Sequence, residues 1–147
     1  MDMIDLPSPN FDDRPTDGAI DILLLHYTGM ESADAAIDRL RDPAARVSSH
    51  YVIDEDGSIL RLVPEEKRAW HAGVSCWAGS RDINARSIGI EIVNPGHEFG
   101  YRAFPERQMH AVAALSQQLV AQHGIRASRV LGHSDVAPLR KQDPGEQ

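Results

Sequence analysis

Two hydrophobic periods run along this chain, and the places where they break are as informative as the runs themselves. Ile20 to Leu25 is a nearly continuous apolar stretch, the pattern of a strand covered on both faces, and it ends in His26 and Tyr27. "SADAAIDRLRDP" follows, with Ser32 placed to cap a helix, Ala33, Ala36, Ile37 and Leu40 on one face, and Pro43 past the end. That spacing predicts a short amphipathic helix. "SSHYVIDEDGSILRLV" sets two β-prone runs around Asp56 and Gly57, the turn chemistry of a hairpin. "SIGIEIV", residues 87–93, predicts another strand, mostly apolar but interrupted by Glu91. The longest helix is expected from Pro105 to about His123, with Met109, Val112, Ala113, Leu119 and Val120 inward and Gly124 as its stop. "RVLGH" then offers a short strand that again ends in histidine.

Strands alternating with helices point to an α/β fold, and the hairpin makes its central β-sheet mixed, flanked by helices. At 147 residues the chain is expected to be a single domain, 1–147, with the Pro- and Asp-rich residues 1–18 as an extended arm on the surface. A net charge of -7 without a run of Lys and Arg gives a nucleic acid or an anionic membrane no electrostatic footprint, so both partners are set aside. Cys76 is the only cysteine, which excludes an internal disulfide and a cysteine-rich metal cluster, and it reads as a small buried hydrophobe. No stretch has the pattern of a secretory signal or the length of a membrane span, so the chain as written is expected in the cytoplasm. Removal of a leader would leave the same sequence and a periplasmic protein.

Polar residues at strand ends are where such folds place their chemistry. Four positions stand out: His26, Glu91, His133, and the Lys141–Asp143 pair in "PLRKQDPG". Each has a bland reading alone, as a boundary histidine, a solvent-facing acid or a loop lysine. Together they would furnish a metallo-amidase. Two imidazoles and a carboxylate form a catalytic zinc set that leaves one tetrahedral position for water, whose pKa falls from about 16 to roughly 7. A second carboxylate could carry the water's proton to a leaving amine, and a lysine could stabilise the oxyanion. No HExxH or similar local motif is present to establish this from spacing.

The order "LLLHYT", "SSHYVIDEDGSI", "AWHAG", "NARSIGIEIVNPG", "LGHSDVAPLRKQDPG" resembles the zinc-dependent N-acetylmuramoyl-L-alanine amidases of the AmpD and AmiD type, relatives of phage amidases and peptidoglycan recognition proteins. The likeness covers nearly the whole chain, from "SPNFDDRP" onward. It implies hydrolysis of the amide joining the lactyl group of N-acetylmuramic acid to L-alanine, in peptidoglycan or in anhydro-muropeptide fragments. It also implies one zinc ion per chain on His26, His133 and Asp143, with Glu91 as general acid or base and Lys141 as oxyanion stabiliser. Phage-type relatives carry a tyrosine where this chain has Ser49, and the "IGIE" glutamate is the replacement in the AmpD branch. Members usually continue past "DPG", which implies here a more open site or a shortened chain.

The "WHAG" segment lies by the cleft in relatives, so His71 and Trp70 are substrate-binding candidates, and Asn84 is a candidate for the peptide. Their alternatives are core packing for the indole and an Asx turn for Asn84. His50 reads as structural, His97, His110 and His123 as surface or helix residues, and Tyr27 as support for its neighbour. Two other functions stay open at this point. Recognition-protein relatives keep the fold as non-catalytic binding modules, and a zinc peptidase acting on unrelated peptides would need the same metal site.

Overall fold

The computed structural model describes residues 2–15, 19–73, 82–137, 141, 143 and 144. Its elements follow in the order β1 (Met3–Asp5), β2 (Phe11–Asp13), β3 (Ile22–Tyr27), α1 (Ala33–Arg41), β4 (Tyr51–Ile53), β5 (Ile59–Arg61), β6 (Lys67–Ala69), β7 (Ser87–Ile92), α2 (Gly96–Phe99), α3 (Glu106–His123), β8 (Val130–Gly132) and α4 (His133–Val136). Six strands form one sheet in the order β1-β5-β4-β7-β3-β8. The four strands β4, β7, β3 and β8 run parallel, the β4–β5 hairpin is antiparallel, and β1 lies parallel to β5, so the sheet is mixed as expected.

β3 and β7 are central and covered on both faces. One face carries Leu23, Ile88, Ile90 and Ile92 against Val112, Leu115 and Leu119 of α3. The buried positions of that helix, 108, 112, 115 and 119, recur at the three- and four-residue spacing of a single stripe. Ala113, expected inward, is exposed because it falls off this stripe, while Leu115, which the sequence reading passed over, is fully buried. Met109 and Val120 pack only partly against the core. Gln108 is the polar member of the stripe, and its amide donates to the carbonyls of Ile53 and Val93. Gly124, at φ 64°, ends the helix in the left-handed conformation.

The opposite face carries Ile22 and Leu24 against Ala72, Ile83, Leu131 and Val136. Alongside, Val52 and Leu60 pack against Leu40 of α1. α1 begins as predicted, with the Ser32 hydroxyl accepting from the Ala35 N–H at 3.1 Å.

The arm before residue 16 is extended, but it is not merely laid on the surface. β1 becomes an edge strand of the main sheet, and β2 pairs antiparallel with β6 in a second sheet, where Lys67 meets Asp13 and Arg68 meets Asp12. Pairing hydrogen bonds, not apolar burial, hold these short strands, so hydrophobic periodicity could not reveal them. Cys76 lies outside the described residues. Among the described residues no helix is long and apolar enough to cross a membrane.

Candidate metal centre and active site

The register of three parallel strands assembles the site. His26 is directly paired with Glu91, and Leu25 with Gly132, so His133, one residue further, reaches the same edge. Alternation along β3 puts His26 on the face of Ile22 and Leu24, and along β7 it puts Ser87, Gly89 and Glu91 there too. The site therefore stands on the sheet face away from α3. Asp143 is brought in from the C-terminal segment, where its backbone carbonyl accepts from the Ser134 N–H at 2.9 Å.

His26, His133 and Asp143 are all buried, and one ligand-type atom from each lies within 4.8 Å of the others. The Nδ1 atoms of His26 and His133 are 3.0 Å apart, and Asp143 Oδ2 is 3.1 Å from the first and 3.3 Å from the second. His133 Nε2 sits 2.6 Å from the carbonyl oxygen of Ala72. That oxygen can only accept, so Nε2 carries the ring hydrogen and Nδ1 turns its lone pair on the cluster. Burial lowers the pKa of His26, which favours the neutral ring that metal coordination needs. Where both Nδ1 atoms present lone pairs, they and the carboxylate would repel one another, and a cation would resolve that repulsion. The donor set fits zinc: two nitrogens, one oxygen, and room for a fourth ligand.

Glu91 is the second unusual group. It is buried, and its Oε2 has no hydrogen-bond partner among the described residues. Burial, and then the charge of Asp143, push its carboxyl well above the usual carboxylate range, while Lys141 and Arg39 pull it back. A cleft of about 700 Å³ opens over these residues, lined by Glu91, Lys141, Arg39, His97 and Phe99 besides the three donors. A larger groove of about 1160 Å³, around Arg14, Glu65 and His123, shares no residue with it and holds none of this chemistry.

The substrate-binding candidates fare differently from one another. Trp70 is half-buried on the wall of an adjoining cleft of about 420 Å³, with the Arg46 guanidinium 5.8 Å from its ring centroid. Asn84 is turned inward: its Oδ1 accepts from the N–H groups of His71 and Ala72 at 3.0 and 2.8 Å. His71 is buried beneath the donor cluster, its Nδ1 2.9 Å from His26 Nε2 and its Nε2 3.1 Å from Ser87 Oγ. Both ring nitrogens are thus engaged within the protein, and the residue also lines the adjoining cleft and the one over the donors. Burial drives its pKa well below the ordinary value. Tyr27, expected beside His26, instead pairs its hydroxyl with His97 Nδ1 at 3.0 Å, and His97 stacks on Tyr101 at 4.6 Å. His50 is structural, with Nδ1 accepting from the Gly89 N–H and Nε2 donating to the Lys67 carbonyl. Gln142 lies outside the described residues, so the segment joining Lys141 to Asp143 is not described. Arg39, Ser87 and Gly89 were missed by the sequence reading, although the period-2 spacing of Ser87, Gly89 and Glu91 marks one non-apolar face of a strand.

A mixed sheet that delivers a buried donor triad and a buried acid to one cleft defines an α/β domain with a candidate metal centre. The family profile described as N-acetylmuramoyl-L-alanine amidase matches residues 16–146. AmpD of Salmonella typhimurium, a 1,6-anhydro-N-acetylmuramyl-L-alanine amidase, is 36% identical over 157 residues, covering 95% of this chain and 82% of that protein. AmiD of Escherichia coli is 36% identical over 138 residues, covering 86% of this chain and 49% of its own length, so the chain spans about half of that relative. Among solved structures, a selenomethionine derivative of AmpD superposes with a TM-score of 0.86 at 34% identity, covering 97% of this chain and 87% of that one. AmiD from Escherichia coli in complex with anhydro-N-acetylmuramic acid-L-Ala-D-gamma-Glu-L-Lys superposes with a TM-score of 0.78 at 35% identity, covering 90% and 54%. The chain belongs to the N-acetylmuramoyl-L-alanine amidase family.

Proposed function

We propose that this protein is a zinc amidase that cleaves the bond between N-acetylmuramic acid and L-alanine, with soluble anhydro-muropeptides as its substrate class. The observation that carries the reading is the convergence of His26 Nδ1, His133 Nδ1 and Asp143 Oδ2 beside a buried Glu91 with an unpartnered oxygen. All three donors are present and competent, which sets the chain apart from a degenerate binding module. The choice of soluble fragments is supported by the AmpD relative, a 1,6-anhydro-N-acetylmuramyl-L-alanine amidase, and by the solved AmiD complex with anhydro-N-acetylmuramic acid-L-Ala-D-gamma-Glu-L-Lys.

Zinc, held by His26, His133 and Asp143, would supply a Lewis acid for the scissile carbonyl, lower the pKa of an attacking water to roughly 7, and offset the burial that raises Glu91. Glu91 takes a proton from that water and returns it to the leaving amine of L-alanine, a transfer that suits a carboxyl whose affinity for protons is already raised. Lys141 faces the same cleft and would meet the negative charge that develops on the carbonyl oxygen. Trp70 and Arg46 border the adjoining cleft and offer a wall for the rest of the substrate. Asn84 contributes to that site by holding the segment that carries His71 and Ala72.

Incubating the zinc-loaded protein with an anhydro-muropeptide and following the mixture by mass spectrometry should show free stem peptide. Intact anhydro-muropeptide under conditions where the protein is folded and loaded would overturn the reading, and faster release from intact sacculi would overturn the choice of substrate class.

A further inference from the structure

The His71 ring occupies a seat that the fold makes for it. It lies on Gly89 of β7, where an added Cβ would stand 2.6 Å from the ring's Cγ, so only glycine leaves room. The direction of its hydrogen bonds follows from the far end of the chain of contacts. The Ile83 carbonyl, 2.8 Å from Ser87 Oγ, can only accept, so the Ser87 hydroxyl donates to it. With that hydrogen committed, the hydroxyl meets His71 Nε2 as an acceptor, and His71 Nε2 carries its ring hydrogen. His71 Nδ1 is then bare and accepts from His26 Nε2–H. His26 is left with its lone pair on Nδ1, the atom that faces His133 and Asp143.

The next residue does the same for the second histidine. The Ala72 carbonyl takes the Nε2 hydrogen of His133 and leaves that ring's Nδ1 free as well. Asn84 Oδ1 binds the backbone N–H groups of both residues of the pair, fixing imidazole and carbonyl relative to one another.

We infer that the His71–Ala72 segment, pinned by Asn84 and seated on Gly89, is a tautomer clamp in which His71 acts as a positioning residue, setting ligand His26 to present Nδ1 to a metal while the adjacent carbonyl sets His133. The inference rests on the metal reading above and deepens it. Partners behind a ligating histidine fix its tautomer and orientation, and their loss typically costs about 10- to 100-fold in metal affinity.

The test has two readouts, neither of which is turnover. Long-range proton–nitrogen NMR of the histidine rings in the metal-free protein should find His26, His71 and His133 all protonated on Nε2; a hydrogen on Nδ1 of His26 would overturn the clamp. Zinc affinity, measured by chelator competition, should fall about 10- to 100-fold in His71→Leu and stay within a few-fold of the unmodified protein in His71→Gln, whose side-chain oxygen can still accept from His26. Equal losses in both variants, or none in either, would overturn it. Should His71→Leu fail to fold, the glutamine variant and the ring spectra of the unmodified protein still decide. Failure of the unmodified protein to bind zinc would overturn the metal reading and this inference together, and it shows before any substitution is made.

Discussion

The two faces of the central sheet are built from the same strands and do opposite things. Towards α3, β3 and β7 present Leu23, Ile88, Ile90 and Ile92, each buried against other apolar side chains. One residue out of phase, the same strands present His26, Ser87, Gly89 and Glu91 beside the buried Ile22 and Leu24. The first face gains on the order of 25 cal/mol for each Å² of apolar surface removed from water. The second buries polar atoms and an acid, which costs several kcal/mol where an ionised group lacks compensation. The contrast separates the residues that hold the fold from those that the fold holds.

The sharpest break should come from the polar face. His133→Ala removes one of three donors while leaving Leu131 and Val136 to pack, so zinc content should fall far below one ion per chain and turnover to background. Zinc analysis that finds equal content in variant and unmodified protein would remove His133 from the donor set. Next in size, Lys141→Ala should lower kcat about a hundredfold to a thousandfold with little change in KM, since the interaction it removes strengthens only in the transition state. A large rise in KM at constant kcat would make Lys141 a ground-state binding residue instead.

Leu115→Ala probes the apolar face. Removal of a fully buried leucine should cost about 2–5 kcal/mol in chemical denaturation. Zinc affinity at temperatures where the variant remains folded should be unchanged; a weakened site would show that the two faces are coupled. The smallest effect concerns pH. Burial lowers His50 to about 4, against 6.5 for an exposed imidazole, so between these values the unfolded chain takes up a proton that the folded chain does not. Stability from this group is therefore whole above pH 6.5 and declines by about 3 kcal/mol as pH falls to 4. His26 and His71, both lowered by burial, add to the trend with the same sign in the metal-free protein. In metal-free Glu91→Gln, which lacks the opposing trend of the raised acid, denaturation midpoints that stay flat from pH 6.5 to 4 would contradict this.

The apolar face was legible because periodicity reports burial: the run through Leu25, the stripe on α1 and most of α3 follow from spacing alone. His26, Glu91 and His133 stood out for the complementary reason, as polar residues that end or interrupt apolar runs, whereas grouping the two histidines with Asp143 as a donor set came from the family resemblance. The role of His71 was not legible. Its partners, Ser87, Gly89 and His26, lie 16, 18 and 45 positions away, and only the register of β7 against β3 brings them together. Asn84 was equally opaque, since its bonds reach back 12 and 13 residues and are not those of a local turn. The strands of the arm were hidden because they bury almost nothing.

Glu91→Gln tests the division between the faces most directly, because one substitution should move activity and stability in opposite directions. A carboxyl raised by burial favours the folded state only while protonated, and its cost appears as pH rises past its ordinary value of 4.5, so glutamine removes that cost at neutral pH. The account predicts that zinc-loaded Glu91→Gln loses about a hundredfold or more in kcat on an anhydro-muropeptide, while the metal-free variant unfolds at a higher denaturant concentration than the unmodified protein at pH 7, a gain that shrinks towards pH 4. Turnover like that of the unmodified protein, or a lowered midpoint, would contradict it.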